Sequence, residues 1–170
     1  MSEYLPIADG MDHQLDPRVV PLRQIIGWIM TVSIAGASLL AIPIVWFVND
    51  LGWLWLALMF VAWAIIVVVL AWFAHRWPAI DYRHTFYRVD EQGIEIRDGV
   101  YWRTIVNVPR SRVQHTDVSQ GPLQRSRGLG TLVIYTAGTD HAQVTLGGLG
   151  YETALRIREH LLPKDASDAV

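Results

Sequence analysis

Four arginines stand out among the residues equipped for chemistry: Arg110, Arg112, Arg125 and Arg127. The first pair directly follows a strand-like run. The second pair sits on a glycine-bounded loop, residues 121–128. One strand's length of chain separates the pairs, so they could converge on a single anion. Guanidinium groups hold carboxylates and phosphates through paired N–H donors. Such a cluster would suit an anionic lipid head group or an acidic protein segment. The plainer account is a solvated loop, or arginines neutralised by Asp117 and nearby acids.

The rest of the reactive inventory points away from catalysis. The six histidines, His13, His75, His84, His115, His141 and His160, show no metal-ligand spacing and no HExxH motif. Ser111, Ser119 and Ser126 sit in no nucleophile-elbow context. Gly128-Leu129-Gly130 and Gly147-Gly148-Leu149-Gly150 lack the later Gly or Lys-Ser/Thr of a phosphate loop, and fit turns and a helix entry instead. No carboxylate pair stands out among Asp90, Glu91, Asp98 and Asp117. With no cysteine there is no thiol nucleophile, disulfide framework or thiolate metal site. A formal net charge of −2 gives no basic excess for nucleic acid. The expectation is a non-enzyme with no cofactor, no metal and no nucleic-acid partner.

Two apolar runs must position whatever the arginines do. Residues 25–48 read IIGWIMTVSIAGASLLAIPIVWFV and residues 51–74 read LGWLWLALMFVAWAIIVVVLAWFA, with only Asn49-Asp50 between them. Neither run holds a charged residue or a histidine. As helices, about 20 apolar residues cross a hydrocarbon core about 30 Å thick, and a helix satisfies its own backbone in lipid. The first run carries about twelve Leu, Ile, Val or Phe residues, each favouring insertion by roughly 0.3–0.6 kcal/mol at the helix centre. Roughly 4–7 kcal/mol is therefore the upper bound on its gain. A soluble domain of the remaining size could not cover two helices that are apolar all round. The expectation is a transmembrane helical hairpin.

Flanking residues orient it. Arg18 and Arg23 precede the first run, Arg76 and Arg83 follow the second, and the link carries only Asp50. The positive-inside rule then predicts that both termini are cytoplasmic, with Asn49-Asp50 outside. Trp46, Trp53 and Trp55 mark the outer boundary and Trp28, Trp72 and Trp77 the inner one, while Trp63 falls at mid-membrane. Ser33, Ala37 and Ala41 form a small-residue stripe, read first as the hairpin's own packing face and second as an oligomer contact. Thr31, Ser33 and Ser38 alone are too little polarity for a transport pathway, so the hairpin is an anchor. The N-terminal residues 1–24 are expected to form a cytoplasmic tail, residues 75–81 a juxtamembrane linker and residues 163–170 a flexible C-terminal tail.

From Tyr82 the texture changes to short β-branched and aromatic runs between turn residues. Strands are predicted at residues 84–89, 94–97, 100–108, 113–118, 131–136 and 142–146. Turns fall at 90–93, at Asp98-Gly99 and at 137–141. A helix at 151–162 places Ala154, Leu155, Ile157, Leu161 and Leu162 on one face. Residues 82–162 thus form an α+β domain, with a helix closing one end of a bent antiparallel β-sheet or partial barrel.

The stretch at residues 106–125, VNVPRSRVQHTDVSQGPLQR, runs into Gly128-Leu129-Gly130-Thr131-Leu132. It resembles the signature of bacterial PH-like domains in the YdbS-like membrane family, and the segment at Pro17-Arg18 resembles that family's start. The resemblance covers residues 15–162. It implies a two-helix hairpin ahead of a pleckstrin-homology-like sheet of about seven strands with a C-terminal helix, one strand more than counted above. It supplies architecture rather than activity. The wider superfamily's phosphoinositide readers keep basic residues on the first hairpin, where this chain has Asp90-Glu91-Gln92. The expected function is therefore a membrane-anchored PH-like interaction or scaffold module that binds a protein partner or its own copies. The alternative is anionic-lipid binding through the arginine-bearing loop.

Overall fold

The structure is a computed structural model that describes residues 7–49, 52–137 and 143–162. Asp50 of the hairpin link, most of the turn expected at 137–141, Ala142 and the tail from Pro163 lie outside the described residues. The chain divides into two units: one runs to Leu22 and resumes at Ile80, and the other is Arg23–Ala79.

The membrane unit consists of most of two helices, α1 (Val19–Val48) and α2 (Trp53–His84). Both are long and apolar enough to cross a membrane. Each is longer than its apolar run. The fall in hydropathy after Ala74 marks the end of the apolar surface, not the end of the helix, so residues 75–81, read as a linker, are helical. Within this unit α1 meets α2 along Gly27, Thr31, Ala35, Ser38 and Ile42. At Gly27 an added Cβ would lie 3.0 Å from the Ala74 Cβ, and Thr31 and Ile42 are buried. The mid-membrane Trp63 donates its indole N–H to Ser38 Oγ at 3.1 Å and to the Ala35 carbonyl at 3.3 Å. This answers the indole's need for a partner in a dry environment. Ser33, Ala37 and Ala41 are exposed, so the stripe read as the packing face lies off this contact.

The second unit holds seven strands and the C-terminal helix. One sheet has the order β1 (Asp12–Gln14), β2 (Phe86–Asp90), β3 (Gly93–Asp98), β4 (Thr104–Pro109). The other has the order β5 (Val113–Ser119), β6 (Leu129–Thr136), β7 (Gln143–Gly150). A 3-10 turn, Arg110–Arg112, joins the sheets, and a short helix α3 (Pro122–Arg125) interrupts the 121–128 loop. Helix α4 (Tyr151–Leu161) packs on β5, β6 and β7. All pairings are antiparallel and the sheets do not close into a barrel.

Several boundaries differ from the sequence reading. His84 ends a helix rather than starting a strand. The third strand begins at Thr104, because residues 99–103 form a loop. Gly147–Gly150, read as a helix entry, are strand residues of β7. The strand missed in the count is β1, inside the segment read as a tail. Register places Asp12 opposite Arg88 and Gln14 opposite Phe86, and Asp12 reaches Arg97 at 2.9 Å.

The core contains Val89, Ile94, Leu129, Leu132, Ile134, Leu149, Ile157 and Leu161, all essentially inaccessible. Of the expected face of α4, Ala154, Ile157 and Leu161 are buried, and Leu155 and Leu162 are partly so. Leu15, Val19 and Leu22 belong to the same core. The first turn of α1 is therefore core of the sheet domain as well as the start of a membrane helix. Leu15→Ala is expected to destabilise the sheet domain by about 2–5 kcal/mol. Hydrogen exchange of β6 amides in detergent-solubilised full-length protein would measure it; unchanged protection would mean that residues 15–22 do not support the core.

Candidate functional site

The segment Leu15-Asp16-Pro17-Arg18 is held by the glycines at 128 and 147–150. The Asp16 N–H donates to the Gly148 carbonyl at 2.9 Å, and the Tyr151 N–H to the Gly128 carbonyl at 3.0 Å. Gly148 has φ +86°, and a Cβ there would lie 2.7 Å from Val19 Cγ2. Only glycine allows both that backbone and that approach. The Asp16 carboxylate accepts from the Arg18 backbone N–H at 2.9 Å and from Nε and Nη2 at 2.9 and 2.6 Å. Missing side chains leave room for the pair: a Cβ at Gly128 would lie 3.2 Å from Arg18 Nη1, and one at Gly150 would lie 3.3 Å from Asp16 Oδ2. The glycine runs that failed as phosphate loops are thus a seat for the chain's own Asp-Pro-Arg. The Arg18 hydrogen bond draws the Asp16 carboxyl below its ordinary value of 3.8, with partial burial opposing.

The four arginines do not form one cluster. Arg110 and Arg112 lie in the turn before β5, tied down by Arg110 N–H to the Gln92 carbonyl at 2.7 Å and Ala137 N–H to the Arg112 carbonyl at 2.9 Å. Arg125 and Arg127 lie beyond the other end of β5. At about 3.3 Å per residue that strand is roughly 20 Å long, too far for one small anion to bridge. Asp117, offered by the sequence as a partner, sits 2.8 Å from His115 instead. Among the described residues none of the four arginines has an ion pair, whereas Arg88 and Arg97 are neutralised by Asp12 and Glu95. The Arg97 hydrogen bond draws the Glu95 carboxyl down, with Arg88 adding to it.

Two glutamines shape the loop that carries Arg125 and Arg127. Gln124 Oε1 accepts from the Gly121 N–H at 2.9 Å, and its Nε2 donates to Thr131 Oγ1 at 3.0 Å. Gln120 Nε2 donates to the Leu129 carbonyl at 2.6 Å. The signal was present in the sequence as Gly-Pro at the start of a helical turn with Gln at its third position.

Of the pair at the other end, Arg112 borders an open groove. It has a volume of about 250 Å3 and is lined by Ile105, Val106, Asn107, Arg112, Thr136 and Val144, among others. Its floor spans both sheets, and among the described residues strand β4 beside it pairs on one side only, with β3. Ile105 on β4 is 65% exposed. The sequence reading missed Ile105 because its alternation with Val106 gives no sign of which strand becomes an edge.

Three further histidines have local partners: His13 is 3.0 Å from Asp9, His84 2.7 Å from the Ile80 carbonyl and His160 2.9 Å from the Asp90 carbonyl. Among the described residues no group of three or more His, Asp or Glu comes together.

A bent pair of antiparallel sheets with a C-terminal helix, following a two-helix apolar hairpin, defines a membrane protein bearing a PH-like domain. The model of the Bacterial PH domain family matches residues 24–165, and the chain belongs to that family. It is similar to the transmembrane protein YdbS of Bacillus subtilis (strain 168), with 39% identity over 84 residues. The match covers 49% of this chain and 51% of that protein, so the chain spans about half the length of the curated relative it matches. No solved structure matches.

The clamp has an acid limb. A carboxyl whose folded pKa is depressed stabilises fully above its unfolded value and loses that contribution as pH falls through the folded one. Protection of the Asp16 and Tyr151 amides is therefore expected to be flat above 3.8 and to decline below it. Asp16→Asn should lower protection at neutral pH and flatten the acid decline. Hydrogen exchange across that range tests both, and an unaltered acid decline in the variant would exclude Asp16 as its source.

Proposed function

We propose that the chain is a membrane-anchored, non-enzymatic interaction module. The PH-like domain would present the β4 edge and its groove to a protein partner or to a second copy, at the cytoplasmic face of a bacterial plasma membrane. The observation that carries this reading is the open edge of β4. Unpaired strand edges are usually covered, charged or shortened, and this one exposes Ile105 beside Arg112. An extended segment adding to such an edge gains backbone hydrogen bonds, while the groove selects its side chains and Arg112 favours an acidic one. Anchoring makes modest affinity sufficient, because confinement raises the effective concentration of a membrane partner. The absence of ionisable groups between Gln24 and Asn49 supports an anchor over a conduit.

A second reading rests on Arg125 and Arg127, both exposed and without ion pairs among the described residues. They are placed to attract anionic lipid, an interaction that weakens as salt rises.

Cross-linking of tagged full-length protein in its native membrane, followed by analysis of proteins and lipids, separates the two. A reproducible partner is expected from the wild type, lost in Ile105→Asp and Arg112→Glu and kept in Arg125→Glu/Arg127→Glu. Recovery of anionic lipid alone, abolished by the Arg125/Arg127 variant, would overturn the scaffold reading in favour of lipid binding.

Topology has a direct test, since the chain has no native cysteine. A cysteine at Asn49 should react with an impermeant maleimide on intact cells, and one at Glu91 only after permeabilisation. The reverse pattern would place the PH-like domain outside.

A further inference from the structure

The loop between β3 and β4 exposes its aromatic residues. Asp98 pairs with Thr104, and residues 99–103 form the tip. Tyr101 is 81% exposed and Trp102 88%. Gly99, at φ +121°, makes the turn: a Cβ there would collide with the Trp102 carbonyl oxygen. The tip has a fixed place in the domain. Thr85, the residue after α2, donates its hydroxyl to Asp98 Oδ1 at 2.7 Å and to the Asp81 carbonyl at 3.1 Å. β2 leads away from that point to the acidic Asp90-Glu91 turn, and β3 returns to it. The chain also enters α1 from this end, since Gln14 pairs with Phe86. Of the two ends of the first sheet, the one joined to the membrane helices therefore carries the aromatic tip, and the other carries the acids.

In the sequence, His84 follows Trp77, the last tryptophan of the inner boundary, by seven residues. The tip's chemistry suits that location. Tyr and Trp favour the bilayer interface, where an apolar ring meets acyl chains and a polar edge meets head groups. Arg103 lies next to Trp102 and has no ion pair among the described residues. It borders a hollow of about 370 Å3 with His84, Phe86 and Ile105, wide enough for a head-group phosphate. Exposed Trp and Tyr side by side form a small patch of the kind that marks interaction sites.

We infer that the β3–β4 tip is a second membrane contact, in which Tyr101 and Trp102 sit in the lipid interface of the membrane that holds the hairpin and Arg103 pairs with lipid phosphate. This inference rests on the membrane-anchored reading. It is distinct from lipid attraction by Arg125 and Arg127, which lie in the second sheet's loop. The contact would dock the PH-like domain on the bilayer rather than leave it free on its helices.

The test uses the cysteine-free full chain reconstituted into vesicles of phosphatidylethanolamine with phosphatidylglycerol. Single cysteines at Trp102, Glu91 and Ile65 carry a polarity-sensitive fluorophore. The Trp102 position is expected to show blue-shifted emission, quenching by lipid-borne nitroxide and loss of quenching by aqueous iodide, while Glu91 shows the opposite. A label at Ile105 should lose nitroxide quenching when Tyr101→Ser and Trp102→Ser are introduced together; both side chains are exposed, so the core is untouched. If position 102 behaves like position 91 while Ile65 is quenched by nitroxide, the second contact is overturned and the anchor stands. If Ile65 itself escapes nitroxide, the anchored reading fails and takes this inference with it.

Discussion

The seating of residues 15–22 on the sheet domain is the constraint on which the rest depends. Leu15, Val19 and Leu22 supply core that no other described element provides, and Gly148 must remain a glycine for Val19 to reach its place. Chain entropy gives this seat its importance. Sheet residues on both sides of the membrane hairpin must come together, and closing so long a loop by weak contacts alone carries a large entropic cost. The apolar face of residues 15–22 fixes which surface of the sheet domain this segment meets.

Elements dominated by one local pattern were legible in the sequence. The two apolar runs, the alternation at Ile94-Glu95-Ile96-Arg97 and the apolar face of residues 151–162 each declare their structure within a single window. Elements defined by distant partners were not. β1 is Asp12-His13-Gln14, too short to alternate and wholly polar, and it is a strand because Arg88 and Arg97 neutralise Asp12 from 76 and 85 residues away in the chain. The glycines of 147–150 look like a breaker, but β7 continues through them because the register of β6 and the seated Asp16 supply partners for the backbone. Convergence of the arginine pairs was one reading of the sequence because sequence separation says nothing about direction. A strand between two loops carries them apart, whereas a turn would bring them together.

Charge on the domain is divided in a way that bears on partners. Arg88, Arg97, Asp12 and Glu95 neutralise one another across the first sheet, and Arg18 is satisfied by Asp16. These six groups orient strands and the seat and offer little field to a ligand. Arg110, Arg112, Arg125 and Arg127 have no such partners among the described residues, and they lie on connections, where a change of side chain costs the fold least. The acidic hairpin follows the same logic. Asp90 accepts from the N–H groups of Gln92 and Gly93, both at 2.9 Å, and its carbonyl faces His160. Its carboxylate shapes a turn, and a phosphoinositide head group would meet an acceptor where it needs donors.

Edge strands explain why such a domain benefits from an anchor. A β4 edge exposing Ile105 would be an aggregation hazard in a diffusing protein. Held in a membrane, the same edge meets other chains only in two dimensions and in a restricted set of orientations. Tethering raises the effective concentration of neighbours on that surface, so under the proposed interaction role a groove of about 250 Å3 and a few backbone hydrogen bonds would need to supply only modest affinity. Affinity that confinement supplies need not be built into the interface. That allows the edge to stay short, six residues ending in Pro109, whose missing N–H limits how far any added strand can propagate.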